Sequence, residues 1–193
     1  MKKKLVLVGC GGHALSTYDI ILQNDDHEIL GFINPRGEKF YDLQYLGSED
    51  YFIENFPKDI QVIIGLGQVK DLNLRDTIYK KFLLAGFKIP TLIAKSAVVS
   101  KNSMIQSGSI IMHNVIINAK AEIHENSIIN NNALIEHSSI IGKNTHISTG
   151  AIVNGDCYIG NNCFIGSNST INHGLRIKNF SIIPSHSRIS KSV

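Results

Sequence analysis

The sequence has no marked excess of charge, no cysteine pair spaced for a metal, and no apolar run long enough for a leader or a membrane span. Its 19 basic and 16 acidic residues leave a net charge of +3, too balanced to make nucleic acid the default partner. Met1–Lys4 is basic and Leu5–Val8 apolar, but Gly9 ends the run. A secretory core needs roughly 7 to 15 apolar residues and a spanning helix about 20, which argues against export and membrane insertion. The three cysteines form no CxxC pair, so reduced thiols in the cytoplasm are expected and a cysteine zinc site is not. What the chain does have is apolar content. Its 193 residues are 43% hydrophobic and 18% charged, enough to bury a core in one domain or two small ones.

That apolar content keeps a clock. From Ile93 to Ile189 every sixth residue is Ile or Val, which makes seventeen hexads with fifteen Ile leaders and two Val, too regular for chance. The fourth residue after a leader is usually small, as at Ala97, Ser103, Ser109, Ala121, Ser127, Ala133, Ser139, Thr145, Ala151, Cys157 and Cys163. Val115, Leu175 and Val193 are bulkier. Six suits a chain that makes a short strand, turns a corner and starts another. Three strands close a coil of about 18 residues, and coils stack at about 4.8 Å, so leaders form an internal isoleucine ladder. Gly108, Asn126, Gly142, Asn144, Gly160, Asn161, Gly166 and Asn168 are read as corners, where positive φ must be tolerated. This is a parallel β-helix.

The first half reads differently. Leu5–Val8 is a short strand leading through Gly9-Cys-Gly-Gly-His13 into an amphipathic stretch from Ala14 to Gln23. Further strands are expected at Ile29–Ile33 and Val62–Leu66, and helices at Glu49–Phe56 and Leu72–Ala85, where Gly86 stops the last. Alternation of strand and helix implies a parallel α/β sheet. The boundary falls near Pro90, dividing the chain into residues 1–90 and 91–193. Gly9-x-Gly11-Gly12 with Ala14 resembles a dinucleotide fingerprint, and a helix N-terminus behind it offers free N–H groups to a phosphate. A half-size domain favours one nucleotide over NAD, and a tight turn holding no ligand is the competing reading.

Coil arithmetic also sorts the histidines. His137, Gly155 and His173 are 18 residues apart and fall on one edge of the prism, with His146 half a coil away. A His beside a bare Gly combines a base with an exposed N–H for an oxyanion, the parts of acyl transfer. Against this stand a solvated corner residue and a zinc site shared between copies, although no third histidine is close in sequence. His27, His124 and His186 read as corner or loop residues, and Cys157 and Cys163 as core packing.

Val8-Gly-Cys-Gly-Gly-His13, Leu30-Gly-Phe-Ile33, Ile64-Gly-Leu-Gly67, Leu134-Ile-Glu-His137 and Asn144-Thr-His-Ile-Ser148, in this order, resemble the NeuD/PglD/PglB-type bacterial sugar acetyltransferases. The resemblance implies a Rossmann-like half domain that binds a nucleotide-linked sugar over residues 1–90, and a left-handed parallel β-helix that binds acetyl-CoA over residues 91–193. It implies a homotrimer with sites between subunits, no metal, and a cytoplasmic enzyme. By position, His137 matches the catalytic base; His146, Gly155 and Ser167 match acetyl-CoA positions; Gly11, Gly12, His13, Asn34, Arg36 and Gly65 match the substrate side. The expected reaction is N-acetylation of the 4-amino group of a nucleotide-linked amino-dideoxy sugar for a surface glycan. O-acetylation of a sialic acid and a non-catalytic nucleotide-sugar-binding scaffold are the alternatives. Two departures stand out. Ser138 follows His137 where an acidic residue is usual, and the hexads reach Val193 without a Val-Gly-x-Pro closing segment, so an open edge is expected there.

Overall fold

The structure, a computed structural model, describes residues 2–24, 26–37, 39–68 and 71–193. An apolar run as short as Leu5–Val8 satisfies its backbone best as the middle of a parallel sheet. β1 (Lys3–Val8) is that middle strand, between β2 (His27–Ile33) and β3 (Gln61–Ile64), all parallel. α1 (Gly12–Gln23) connects β1 to β2, α2 (Glu49–Asn55) precedes β3, and α3 (Leu74–Leu84) follows it. Ser48 caps α2 by accepting from the Tyr51 N–H at 3.3 Å. α3 begins two residues later than the pattern suggests, because Asp71 Oδ1 accepts from the Asn73 and Leu74 N–H groups and holds a turn there. His27, expected in a loop, opens β2 instead.

From Leu92–Ile93 to Arg188–Ile189 the chain forms seventeen two-residue strands in three parallel sheets of six, six and five. The first face runs from Leu92–Ile93 to Ile182–Ile183, the second from Val98–Val99 to Arg188–Ile189, and the third from Met104–Ile105 to Arg176–Ile177. Strands 18 residues apart pair in register, as Ile129 with Ile147 and Ile141 with Ile159. Leaders from Ile111 to Ile177 are at most 1% exposed, whereas Ile93 at the near end is 37% exposed.

Corners sit on the third residue after each leader. From Gly108 to His186 every such residue has φ between 52° and 72°, and Asn or Gly supplies most of them. Gly142, Gly160 and Gly166 are not corners, contrary to expectation. They directly follow leaders, and a Cβ there would lie 2.6 Å or less from the next coil's backbone or side chains. Asn161 stands one residue before its corner, its Oδ1 accepting from the Lys143 N–H at 3.0 Å. The small fourth residues do more than fill space. Ser109, Ser127 and Thr145 donate to the carbonyls of His124, Gly142 and Gly160, and the N–H of Thr145 and of Cys163 bonds the hydroxyl one coil before. Burial pushes the Cys163 thiol up from its ordinary range, so it stays an unreactive thiol.

The two units share a joint. Arg75 of α3 is fully buried and, among the described residues, donates only to carbonyls: Ile64 and Leu66 at the end of β3, and Gly108 and Asn126 at corners between the third and first faces. Gln68 reaches the Asn144 carbonyl at 2.6 Å, and Asn144 Nδ2 donates to the Leu72 carbonyl at 2.9 Å.

Candidate active site

At Ser138 the chain takes a φ of 60°, which ends the strand Leu134–Ile135 and leaves His137 exposed on the edge between the second and third faces. Leu134 pairs with Ile152, so Gly155 falls beside His137 one coil on. A Cβ at Gly155 would lie 2.7 Å from both Cε1 and Nε2 of the His137 ring, so only glycine leaves room for that ring position. Among the described residues no backbone carbonyl accepts from the Gly155 N–H. The His137 ring and the Gly155 backbone therefore adjoin each other on this edge, at the 18-residue spacing.

The ring's near neighbour is Ser138, whose Oγ is 3.4 Å from Nδ1. Glu136 is engaged elsewhere, accepting from Asn118 Nδ2 at 3.0 Å and facing the His137 N–H at 3.4 Å. His173 lies on the far side of Gly155, with ring centroids 6.4 Å apart, and its Nε2 is 3.5 Å from Asp156 Oδ2. Among the described residues no third ligand joins these two histidines to make a metal site.

A second site belongs to the α/β unit. Gly11, Gly12, His13, Gly65, Gly67 and Asp71 line a cleft of 460 Å³. Gly11 is the N-cap of α1, with no side-chain cap, no acidic residue in the first turn, and nothing within 4 Å of where a Cβ would stand. The open N–H groups and the positive end of the helix dipole suit an anion. Gly65 is needed for packing as well, since a Cβ there would meet Leu7 at 2.8 Å and Ala14 at 3.1 Å.

His146 does not join His137. It projects from the first face under the α/β unit and is 3% exposed, 6.4 Å from His13 between ring centroids. Nδ1 is 3.0 Å from the Gln68 carbonyl, so it carries the proton, and Nε2 accepts from Asn130 Nδ2 at 3.2 Å. Burial drives its pKa down to about 4, partly offset by the Gln68 bond. His13 is pushed down to about 3 by burial first, then by Arg75 and His146, and its Nε2 has no hydrogen-bond partner among the described residues. Both rings are neutral at pH 7.

The remaining expected residues are scattered. Asn34 is buried at the end of β2, bonded to Cys10 Sγ, and Arg36 is exposed beyond it. Ser167 is 2.9 Å from the Ser148 hydroxyl, beyond the first face. The sequence reading missed Gln68 and Arg75, and also a 400 Å³ cleft on the third face, where Arg176 stacks over Tyr158 at 4.3 Å beside Lys178. The 18-residue spacing of Tyr158 and Arg176 was the available signal for the last.

A parallel β-helix of hexad repeats carrying an N-terminal α/β unit is the class these features define. Residues 4–82 match the PglD N-terminal domain and residues 156–191 match bacterial transferase hexapeptide (six repeats), so the family resemblance drawn from the motifs is met in both halves. The acetyltransferase domain of PglB from Neisseria gonorrhoeae FA1090 is 23% identical, with a TM-score of 0.92, over 100% of this chain and 93% of that one. Its complex with acetyl coenzyme A matches at 22% identity and TM-score 0.89, over 98% and 93%. PerB from Caulobacter crescentus, in complex with CoA and GDP-perosamine, is 21% identical with a TM-score of 0.92 over 98% and 90%. At these identities the likeness is one of fold, a left-handed β-helix included.

Proposed function

We propose that the chain is an acetyl-CoA-dependent acetyltransferase acting on the 4-amino group of a nucleotide-linked amino-dideoxy sugar used in bacterial surface glycans. The observation that carries this reading is the His137 ring leaning over Gly155. His137 removes a proton as the amine attacks the thioester carbonyl, and the Gly155 N–H meets the developing oxyanion. Holding amine and thioester together supplies much of the acceleration. The sugar's phosphates go to the α1 N-terminus beside Gly11, Gly12 and His13. Arg176 and Lys178 suit the phosphates of CoA on the face that adjoins the His137 edge. The PglB and PerB complexes, which hold acetyl coenzyme A and CoA with GDP-perosamine, support the same pair of ligands.

His137 and the acceptor cleft lie on different edges of the prism, which favours sites completed between copies in a homotrimer. The outward residues of the second face support this, since Val98 and Ile116 are apolar and 65% and 41% exposed. A second reading, O-acetylation of a sialic acid, is favoured by Ser138, which places a hydroxyl and no carboxylate against the ring.

The test is release of CoA thiol from acetyl-CoA with two acceptors in parallel, a nucleotide-linked 4-amino-4,6-dideoxy sugar and a free or CMP-linked sialic acid. Turnover on the amino sugar alone is expected. Turnover on the sialic acid alone promotes the second reading, and no acetyl-CoA binding rejects both.

A further inference from the structure

Acyl transfer through His137 and Gly155 leaves His173 and Asp156 without a task. They are exposed, at 66% and 51% of their side chains, and an ion pair in that setting contributes about 0 to 1 kcal/mol to folding. Their placement is nevertheless specific. Ile152 pairs with Thr170, which seats His173 one coil beyond Gly155, as His137 is one coil before it. The two rings flank the bare Gly155 backbone at 6.4 Å between centroids, tilted 52° to each other. Both therefore border the Gly155 N–H that the acetyltransferase reading assigns to the thioester oxygen. Asp156 occupies the left-handed corner, φ 56°, that aims its carboxylate at His173 Nε2.

Resting on the acetyltransferase reading, we propose that His173 is a second catalytic residue, the acid that protonates the departing sulfur of CoA, and that Asp156 is its positioning residue. In the balanced step the acceptor's lone pair forms the new bond to the carbonyl carbon, and the acceptor proton passes to His137. The C–S bond then breaks, and the sulfur takes a proton from the His173 imidazolium. The proton gained by His137 and the one lost by His173 cancel, and exchange with solvent restores both rings. Nε2–H of His173 is held by Asp156, leaving Nδ1–H for the sulfur. Among the described residues His137 and Asp156 lie against this ring, and Lys191 is 18 residues on from His173 in the sequence.

The experiment compares wild type, His173→Asn, Asp156→Asn and His137→Ala with acetyl-CoA and the nucleotide-linked amino sugar turned over best. All three substitutions are at exposed residues, and unchanged circular dichroism and melting confirm folding. His173→Asn is expected to lower kcat on the order of 10²-fold with both KM values unchanged. Asp156→Asn should give a smaller loss of kcat, again with both KM values unchanged. A kcat within about twofold of wild type overturns the proposal, as does a raised KM for acetyl-CoA at unchanged kcat. Failure of the underlying reading looks different: the wild-type chain itself releases no thiol, and the proposal falls with it.

Discussion

His137 and Gly155 are neighbours through an absent side chain: the ring occupies the space that a Cβ one coil on would need, 2.7 Å from Nε2. Gly155→Ala is therefore a clean test of the base. Gly155 does not use a left-handed φ, so alanine suits its backbone, and the ring can swing away cheaply. Melting should change little while kcat falls on the order of 10²-fold, because base and oxyanion donor no longer meet. Steady-state kinetics beside a melting curve checks it. A variant that loses stability but keeps its kcat would contradict the assignment.

Acid should loosen the joint between the two units. His13 and His146 are held near 3 and 4, below the usual 6.5 of an unfolded histidine. Between those values the unfolded chain binds more protons, so stability is fully present above pH 6.5 and falls as pH drops toward 4 and then 3. Each group contributes a slope of about 1.4 kcal/mol per pH unit in that window. Melts from pH 7 to 4.5 should show this, and His146→Gln should make the slope shallower.

Arg75→Met should be among the most damaging substitutions outside the ladder. It leaves the carbonyls of Ile64, Leu66, Gly108 and Asn126 without their shared donor, at about 1 to 3 kcal/mol for each group that water does not reach. Urea unfolding should show a large loss of stability. Limited proteolysis should show the α/β unit becoming more susceptible while the coils persist.

The ladder should be strongest in the middle. Ile141→Ala removes a fully buried side chain between two stacked leaders and should cost about 2 to 5 kcal/mol. Ile189, only half-buried in the last strand, should cost under about 1 kcal/mol. Equilibrium unfolding of both variants measures the gradient.

Period and register were legible because each coil contacts the next through the same positions. Ile141 and Ile159 stack, and His137 and Gly155 meet, because 18 residues return the chain to the same edge. The glycines were only half legible. Gly108 bends the chain with φ 72°, while Gly142 makes way for the neighbouring coil, and one letter serves both needs. The surroundings of His146 were not legible for another reason. Periodicity shows that it points outward, but its burial depends on how the α/β unit docks, and Gln68 and Arg75 look like ordinary loop and helix residues until that docking is seen.

Arg75 recognises the solenoid only through its main chain. The left-handed corners at Gly108 and Asn126, and the Tyr79 ring against Gly108, restrict what can stand there, while the bonds from Arg75 ask only for the direction of the two carbonyls. Asn144 and His146 add side-chain bonds to the same joint. It ties the seating of the α/β unit to the path of the coil corners, so exchanging such units between solenoids has to preserve those carbonyls.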